Sequence, residues 1–452
     1  MSGTPGGSRR WSAATAAALA VAVGGACGPP PLSPAGGTTV PVSVDSGGVP
    51  APQGSHSTGA VISADGKTIV FNSNAPTLVP GDTNGAVDAF AHDPATGETS
   101  RVSVSSGGGQ AGSGASATAV SGNGRYVVLQ SAGADFAPGD TNGASDVFVH
   151  DRSSGGTTLA SVAGDGSPAD GPSEAGVISA TGTLVAFVSE AGNLVPGDTN
   201  GEVDVFVRDL ATGRTDRVSV ASDGAQANRS AWEPAISADG RFVAFRSSAT
   251  NLVPGDTNDM GDVFLHDRAT GETTRVSVAS DATQGDSGSG TPAISADGRF
   301  VAFHSSAATL VSDDTNLGLD VFVHDRVTGE TTRVSVSSDG QQADEAAWVP
   351  SISADGRHIS FQSRARTLVG DTDAGSTSDV FVHDRITRRT RLASVTSDGV
   401  QANGDSSTSS AAMSAVGDRI TFSSGATNLW PSDPGWPPSL ATAVFLHTPA
   451  AA

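Results

Sequence analysis

The chain has 452 residues and a formal net charge of −22 at pH 7, with 57 Gly, 24 Pro and a single Cys. Because binding to nucleic acid needs a local excess of Lys and Arg over acidic residues, this charge argues against a nucleic-acid partner. One cysteine excludes an intrachain disulfide, and 37% hydrophobic residues are enough for a core if Val, Ile and Phe supply it.

Residues 1–27 are predicted to be an export signal. The pair Arg9–Arg10, which resembles a twin-arginine signal, precedes an apolar run from Ala13 to Val23, and small residues follow up to Cys27. This run is too short for a retained membrane anchor, and no later segment reaches the roughly 20 apolar residues that a spanning helix needs. We therefore expect an exported chain without a transmembrane segment.

Cys27 resembles the lipidated cysteine of bacterial lipoprotein signals, although Gly24 stands where Leu is usual. Lipidation of Cys27 and simple cleavage of the signal are both open, so a lipid anchor and secretion are alternative outcomes. The Pro/Gly-rich residues 28–38 are predicted to be a linker. Residues 39–448 are predicted to be one domain, and residues 449–452 a tail.

An internal repeat of 58 residues organises that domain. Variants of "ISADG" recur at this spacing, with a step of 61 before the last copy, which gives seven units. Each unit contains four short segments rich in Val, Ile, Phe and Thr, separated by Gly, Asp and Asn turns, a pattern typical of β-strands. Four strands in each of seven units predict an all-β, seven-bladed β-propeller.

The two ends of the domain predict how the ring closes. The "VSV" element of each unit first appears as "VPVSV" at residues 40–44, before the first "ISADG", and the chain ends at "AVFLHTPAAA" without another copy. The N-terminal strand is therefore expected to complete the last blade, which would remove an exposed strand edge.

The repeat motifs resemble those of the TolB-like propeller family. That family carries Ser-Pro-Asp-Gly, an Ala-Phe strand and an Ile-Tyr-x-x-Asp strand, and the corresponding segments here read "SADG", "AF" and "VFVHD". This chain differs in having Ala for Pro and a longer repeat. The resemblance, which runs roughly from Thr39 to His447, implies a bacterial exported propeller. It implies little about activity, because the family includes interaction proteins as well as domains attached to enzymes.

The additional length of each unit is expected on one face of the propeller. A blade usually takes about 40–45 residues. Because the turns "ADG" and "RATGET" are short, the surplus lies in the loop between the second and third strands and in the connection to the next blade. We call the face with these connections the long-loop face and the opposite one the short-turn face. Binding residues are expected on the long-loop face.

The loop before the third strand is acidic and repeats the pattern Asp-x-Asn-x-x-x-Asp. Alternating Asp and Asn oxygens could coordinate calcium, the one cofactor that the sequence suggests, and would then stiffen the loop. Alternatively, these residues form turns by accepting backbone hydrogen bonds. The pattern comprises Asp82, Asn84 and Asp88; Asp140, Asn142 and Asp146; Asp198, Asn200 and Asp204; Asp256, Asn258 and Asp262; Asp314, Asn316 and Asp320; and, with two extra residues, Asp371, Asp373 and Asp379.

Residues that occur in one or two units are better candidates for a ligand site than residues that repeat. Arg246 and His304 follow the "AF" pair in adjacent units, where other units have Asn, Gln, Val or Ser. Trp232 and Trp348 precede the first strands of two units, with Glu233 beside the former, and exposed Trp is typical of anchors for proteins or sugars. Polar packing for Arg246 and His304, and capping of a blade for the tryptophans, are the structural alternatives.

A histidine repeated at one position of the third strand is predicted to be structural, because sevenfold symmetry would keep its copies apart. Its copies are His92, His150, His266, His324, His383 and His447.

No sequence motif for catalysis stands out. Gly-x-Ser-x-Gly, His-Glu-x-x-His and a phosphate-binding loop are all missing from the sequence. The sequence therefore favours a non-enzymatic, monomeric propeller that binds a protein or glycan at the bacterial cell envelope. The alternative is a propeller hydrolase or lyase that uses residues of single blades, such as Arg246 and His304, at the channel mouth.

Overall fold

The computed structural model describes residues 37–370, 377–410, 412–430 and 442–450. These ranges contain no helix, and hence no helix that could cross a membrane. Their strands form seven four-stranded antiparallel sheets, which confirms the all-β, seven-bladed propeller. The predicted export signal with Cys27, most of the predicted linker, and Asp371 and Asp373 lie outside the described residues.

The strands follow the predicted order within each blade. Blade 1 consists of β2 (Ser57–Ile62), β3 (Ile69–Ser73), β4 (Asp88–His92) and β5 (Thr99–Arg101). Blade 2 consists of β6 (Ser116–Val120), β7 (Tyr126–Ser131), β8 (Asp146–Asp151) and β9 (Gly156–Leu159). Blade 3 consists of β10 (Ser173–Ile178), β11 (Leu184–Ser189), β12 (Asp204–Asp209) and β13 (Thr215–Arg217). Blade 4 consists of β14 (Ala231–Ile236), β15 (Phe242–Ser247), β16 (Asp262–Asp267) and β17 (Glu272–Arg275).

The remaining three blades have the same order, except that the last takes its outer strand from the N-terminus. Blade 5 consists of β18 (Ser289–Ile294), β19 (Phe300–Ser305), β20 (Asp320–Asp325) and β21 (Glu330–Arg333). Blade 6 consists of β22 (Ala347–Ile352), β23 (His358–Ser363), β24 (Asp379–Asp384) and β25 (Arg389–Leu392). Blade 7 consists of β26 (Ser406–Ser407), β27 (Ile420–Ser424), β28 (Ala443–Thr448) and β1 (Thr38–Pro41).

Strand β1 closes the ring, as predicted. It pairs antiparallel with β28 over four residues, from Thr38 opposite Thr448 to Pro41 opposite Phe445. The Thr39 hydroxyl donates to the Val395 carbonyl of blade 6 at 2.6 Å, so β1 also joins the last two blades. The first and last parts of the described chain therefore share one sheet.

The core lies between neighbouring blades. In six blades a Phe of the second strand stacks on a Phe of the third, with ring centroids 5.7–6.0 Å apart. One buried cluster joins Ala186 and Val205 of blade 3 to Phe245 and Phe264 of blade 4. Each blade thus buries its apolar faces against its neighbours, so a single blade has no complete core of its own.

Backbone hydrogen bonds encircle the channel on the short-turn face. The N–H of Ala180 donates to the carbonyl of Ala238 at 3.0 Å, and equivalent bonds continue around the ring at 2.8–3.1 Å. A cavity of about 210 Å³ lies here, and Ala, Val, Ile, Pro, Met, Ser and Gly of the seven first strands and their turns line it. Among the described lining residues none is charged, so this end of the channel is apolar.

Candidate functional site

The first strand of most blades carries a bulge toward the long-loop face. In blade 4, for example, the pairing register shifts between Trp232 and Ala235. The residue after the Trp position has a left-handed backbone, which a non-glycine residue adopts only at a cost. These residues are Gly59 (φ 64°), Ala175 (φ 51°), Glu233 (φ 55°), Thr291 (φ 48°) and Val349 (φ 51°). Thr291 and Val349 are β-branched, so the assembled ring, and not local preference, imposes this geometry.

The bulges of blades 4 and 5 bring three polar side chains together. Glu233 Oε2 accepts the backbone N–H of Thr291 at 2.7 Å. A Cβ atom added to Gly290 would lie 3.1 Å from Glu233 Oε2, 3.1 Å from Arg246 Cδ and 3.4 Å from His304 Nε2. Gly290 therefore provides the space in which a carboxylate, a guanidinium and an imidazole converge. Its strand position is the one that Trp232 and Trp348 occupy in the flanking blades.

Charge and burial make this cluster chemically distinctive. The Arg246 guanidinium carbon lies 5.8 Å from the centroid of the Trp232 ring, within cation–π range. Arg246 Nε and His304 Nδ1 are buried without a hydrogen-bond partner among the described residues. Burial lowers the pKa of His304; the charge of Glu233 opposes this shift and that of Arg246 adds to it. A lowered pKa favours the neutral form of His304 at pH 7, and its Nδ1 is buried in the cluster.

Side chains on the second strands of other blades also accept a backbone N–H from the next blade, so part of this cluster's role is structural. Asn72 Oδ1 accepts the N–H of Ala117 in the next blade at 2.7 Å, and Gln130 Oε1 accepts that of Ala175 at 3.3 Å. The bond from Thr291 to Glu233 repeats this support of a neighbouring bulge. The convergence with Arg246 and His304 is specific to blades 4 and 5.

The structure thus unites four of the five predicted ligand residues, and the fifth lies on a different blade. Trp232, Glu233, Arg246 and His304 belong to the cluster described above. Trp348 lies on β22 of blade 6, opposite Gln362, and is half-buried.

In four blades the acidic loops contain their own cation. In blade 3, Arg217 Nη1 lies 3.1 Å from Asp198 Oδ1 and 3.5 Å from Asp204 Oδ2. Gln226 Nε2 donates to the same two carboxylates at 2.7 and 3.3 Å. The same two residue types serve the other three blades: Arg101 and Gln110, Arg275 and Gln284, and Arg333 and Gln342.

The asparagine of the acidic pattern forms turns. Asn316 Oδ1 accepts the N–H of Gly318 at 2.8 Å, and its amide donates to the Ala343 carbonyl at 2.9 Å. Asn84, Asn142, Asn200 and Asn258 do the same. This supports the turn interpretation, and calcium at the five loops stays a prediction. Among the described residues no group of three or more His, Cys, Asp or Glu side chains is arranged to hold a metal.

Sequence reasoning missed the arginine and glutamine partners of the acids. A signal for them exists, because Arg in "RVSV" and Gln in the following connection recur at the 58-residue period in the same blades. They are remote from the acidic loop in sequence, so only the folded blade shows that they meet it.

The six repeated histidines pair with threonines, as their repetition suggested. In each case Nδ1 lies 2.8–2.9 Å from a Thr hydroxyl on the adjacent outer strand. Such a repeated internal contact supports the blades and leaves these residues outside the candidate site.

Comparisons with known proteins agree with the fold. No protein-family model and no curated protein matches the chain. Among solved structures, an oligogalacturonate lyase from Vibrio parahaemolyticus matches with a TM-score of 0.52 and 11% identity, covering 92% of this chain and 98% of that one. A putative TolB from Agrobacterium tumefaciens matches with a TM-score of 0.40 and 16% identity, covering 65% of this chain and 83% of that one. The likeness to the lyase is one of fold alone, and the match to the putative TolB is weaker still.

Proposed function

We propose that this protein is an exported, monomeric, non-enzymatic β-propeller that binds a ligand at the bacterial cell envelope through its long-loop face. The observation that carries the proposal is the convergence of Glu233, Arg246 and His304 around Gly290, beside Trp232. Residues repeated in all blades serve the blades, whereas this combination belongs to one pair of neighbours. The export signal predicted from the sequence at residues 1–27 supports the location, and lipidation of Cys27 and simple cleavage of the signal both stay open.

The chemistry of the cluster favours a glycan over a protein as the ligand. An aromatic face with a few convergent donors and acceptors is typical of concave sites for small polar ligands. Trp232 would stack against the apolar face of a sugar ring. Arg246, Glu233 and His304 would bond its hydroxyl groups.

Binding assays with matched variants test this proposal. The purified chain is screened on a glycan panel and on solubilised envelope fractions, and dissociation constants are measured for each ligand found. We expect Trp232→Ala and Arg246→Ala each to weaken binding at least about tenfold, as for residues at the centre of an interface. Thr58→Ala, at the equivalent strand position in blade 1, is the control and should bind as the wild type does.

Two results would contradict the proposal. One is equal affinity of the wild type and the cluster variants for the ligand found; the other is the absence of any ligand in both screens. If the ligand found is a protein and its binding depends on Trp232 and Arg246, the proposed site stands and the ligand class changes from glycan to protein.

A hydrolase or lyase is the second candidate, because the same cluster could perform acid–base chemistry. A neutral His304 can accept a proton, and Arg246 can stabilise negative charge that develops on a substrate. Oligogalacturonate, named in one structural match, belongs in the assay panel for this reason. Product formation that is lost in His304→Ala, with Thr58→Ala unaffected, would establish the enzymatic alternative.

Calcium belongs to the proposal as a stabilising ion only. In blades 1, 3, 4 and 5 an Arg side chain already offsets part of the charge of the acids and a Gln side chain donates hydrogen bonds to them, so these loops give calcium little support. Blade 2 lacks both partners and is the loop that supports calcium.

A further inference from the structure

Blade 2 contains two buried carboxylates that form no ion pair with a described residue. Asp140 is 6% exposed and Asp146 is fully buried. Both oxygens of Asp140 and Oδ2 of Asp146 have no hydrogen-bond partner among the described residues. The other oxygen of Asp146 accepts the Ser161 hydroxyl at 2.6 Å. Three carboxylate oxygens therefore remain unsatisfied inside the protein, which is costly for charged groups.

The equivalent position in blades 1, 3, 4 and 5 holds an arginine. Arg275 Nη1 of blade 4 lies 3.5 Å from Asp256 Oδ1 and 3.5 Å from Asp262 Oδ2. Gln284 Nε2 donates to both carboxylates, at 2.8 and 3.0 Å. The loop is thus built to surround a cation between its first and last aspartates, and an arginine supplies that cation from within the chain.

Blade 2 has replaced both partners. Leu159 stands opposite Phe148, where Arg275 stands opposite Phe264 in blade 4. Pro168 forms the backbone bridge to Val162 that the glutamine forms elsewhere. Neither Leu nor Pro can donate a hydrogen bond from its side chain, so the acidic pair is left without internal compensation.

Blade 7 also lacks the Arg and the Gln, but unlike blade 2 it lacks the acidic pattern as well. It has Pro41 opposite Phe445 and Pro50 at the bridge to Val44, so it also lacks the Arg and the Gln. Its sequence has lost the acidic pattern as well, with "PSDPGWPPSLATAVF" before and within the third strand. Blade 2 has the acids but neither the Arg nor the Gln, which points to another source of positive charge.

We propose that blade 2 binds one calcium ion between Asp140 and Asp146, in the position that an arginine guanidinium occupies in blades 3 and 4. Calcium is bound by hard oxygens, including carboxylates, carbonyls and water, in flexible geometry, and this loop offers two carboxylates. A double positive charge matches two carboxylates. This inference is independent of the ligand site in blades 4 and 5.

A shared proton is the competing way to relieve the two carboxylates. Burial is the largest cause raising the pKa of both Asp140 and Asp146. Asn142 opposes this shift at both, Ser161 opposes it at Asp146, and the charge of Asp140 adds to it at Asp146. A protonated pair would bind no ion at neutral pH, so a direct binding measurement separates the two.

Calorimetric titration of the metal-stripped full chain with CaCl2 at pH 7.5 tests the proposal. We expect one ion per chain for the wild type and a higher melting temperature with calcium than with EDTA. Asp140→Asn should lose the binding. The double variant Leu159→Arg/Pro168→Gln, which copies the partners used in blade 4, should also lose it and should melt at the same temperature with and without calcium. Asp198→Asn in blade 3 is the matched control and should still bind one ion.

Three results would overturn the inference. The first is no binding by the wild type up to about 10 mM calcium, ten times the weakest affinities of extracellular calcium modules, which would indicate a shared proton. The second is unchanged binding in the Leu159→Arg/Pro168→Gln variant. The third is loss of binding in Asp198→Asn while Asp140→Asn still binds, which would place the ion in blade 3.

Discussion

Arg275 holds together two carboxylates that would otherwise repel each other. Its side chain is 9% exposed, and those of Asp256 and Asp262 are 2% and 0% exposed. In such a setting the pair as a whole adds little stability, but removing one partner leaves a buried charge without compensation. The stability contribution of Arg275 is therefore seen mainly when it is removed, because two buried carboxylates are then left without a cation.

Replacing Arg275 with Leu, the residue of blade 2, should destabilise the protein by about 3–5 kcal/mol at neutral pH, because both aspartates lose their cation. Urea unfolding measures the change. Arg214→Leu is the control: its pair with Asp216 has side chains 74% and 28% exposed, so its loss should cost less than about 1 kcal/mol. Equal losses in the two variants would show that the buried acids do not depend on Arg275.

The candidate ligand site also depends on single residues. Arg246 and His304 occupy equivalent positions in adjacent blades, so the repeat predicted that they would be neighbours. The role of Gly290 could not be predicted, because a glycine beside two bulges has meaning only when the side chains around it are placed.

At the level of elements, β1 is the strand on which the closed ring depends. Without it, β28 would present an unpaired edge, and the contact from Thr39 to the Val395 carbonyl of blade 6 would be lost. Exposed strand edges promote association between chains. The first strands of the blades also depend on the assembled ring. Their bulges hold Thr291 and Val349 in a left-handed backbone conformation, which β-branched residues disfavour.

A chain that begins at Asp45 should therefore be less stable than one that begins at Gly37, and should associate through β28. Thermal unfolding and light scattering coupled to gel filtration measure the two effects. The chain from Gly37, which retains β1, is the control. Equal melting temperatures and two monomeric species would show that the ring closes without the N-terminal strand.

For the molecule as a whole, the repeated histidines link stability to pH. Burial is the largest cause lowering the pKa of each, and it lowers those of His383 and His447 to about 4. The unfolded chain, with histidine pKa values near 6.5, takes up protons before the folded one does. The stability from these groups is thus fully present above about pH 6.5 and is lost as pH falls toward 4.

The free energy of unfolding of a His383→Gln/His447→Gln variant should therefore vary less with pH than that of the wild type. Between pH 6 and 4.5 we expect the slope to decrease by on the order of 1 kcal/mol per pH unit for each histidine replaced. Urea unfolding at several pH values gives both slopes. The test is the difference in slope between the wild type and the variant. The slope of either protein alone is not informative, because buried aspartates with a raised pKa, such as Asp262 and Asp320, change the stability with pH in the opposite direction. Identical slopes would contradict the assignment.

The sequence alone determined the number of blades, their four strands and the closure by β1. Strand alternation and turn residues act over a few neighbours, so 58-residue copies carry this information in every unit. The tertiary structure decided which side chains meet between strands and blades. It paired the acids with Arg and Gln in four blades, left Asp140 and Asp146 without them in blade 2, and joined Glu233 to Arg246 and His304. Such contacts depend on the rotation of one blade against the next and on the bulges, which no local pattern records.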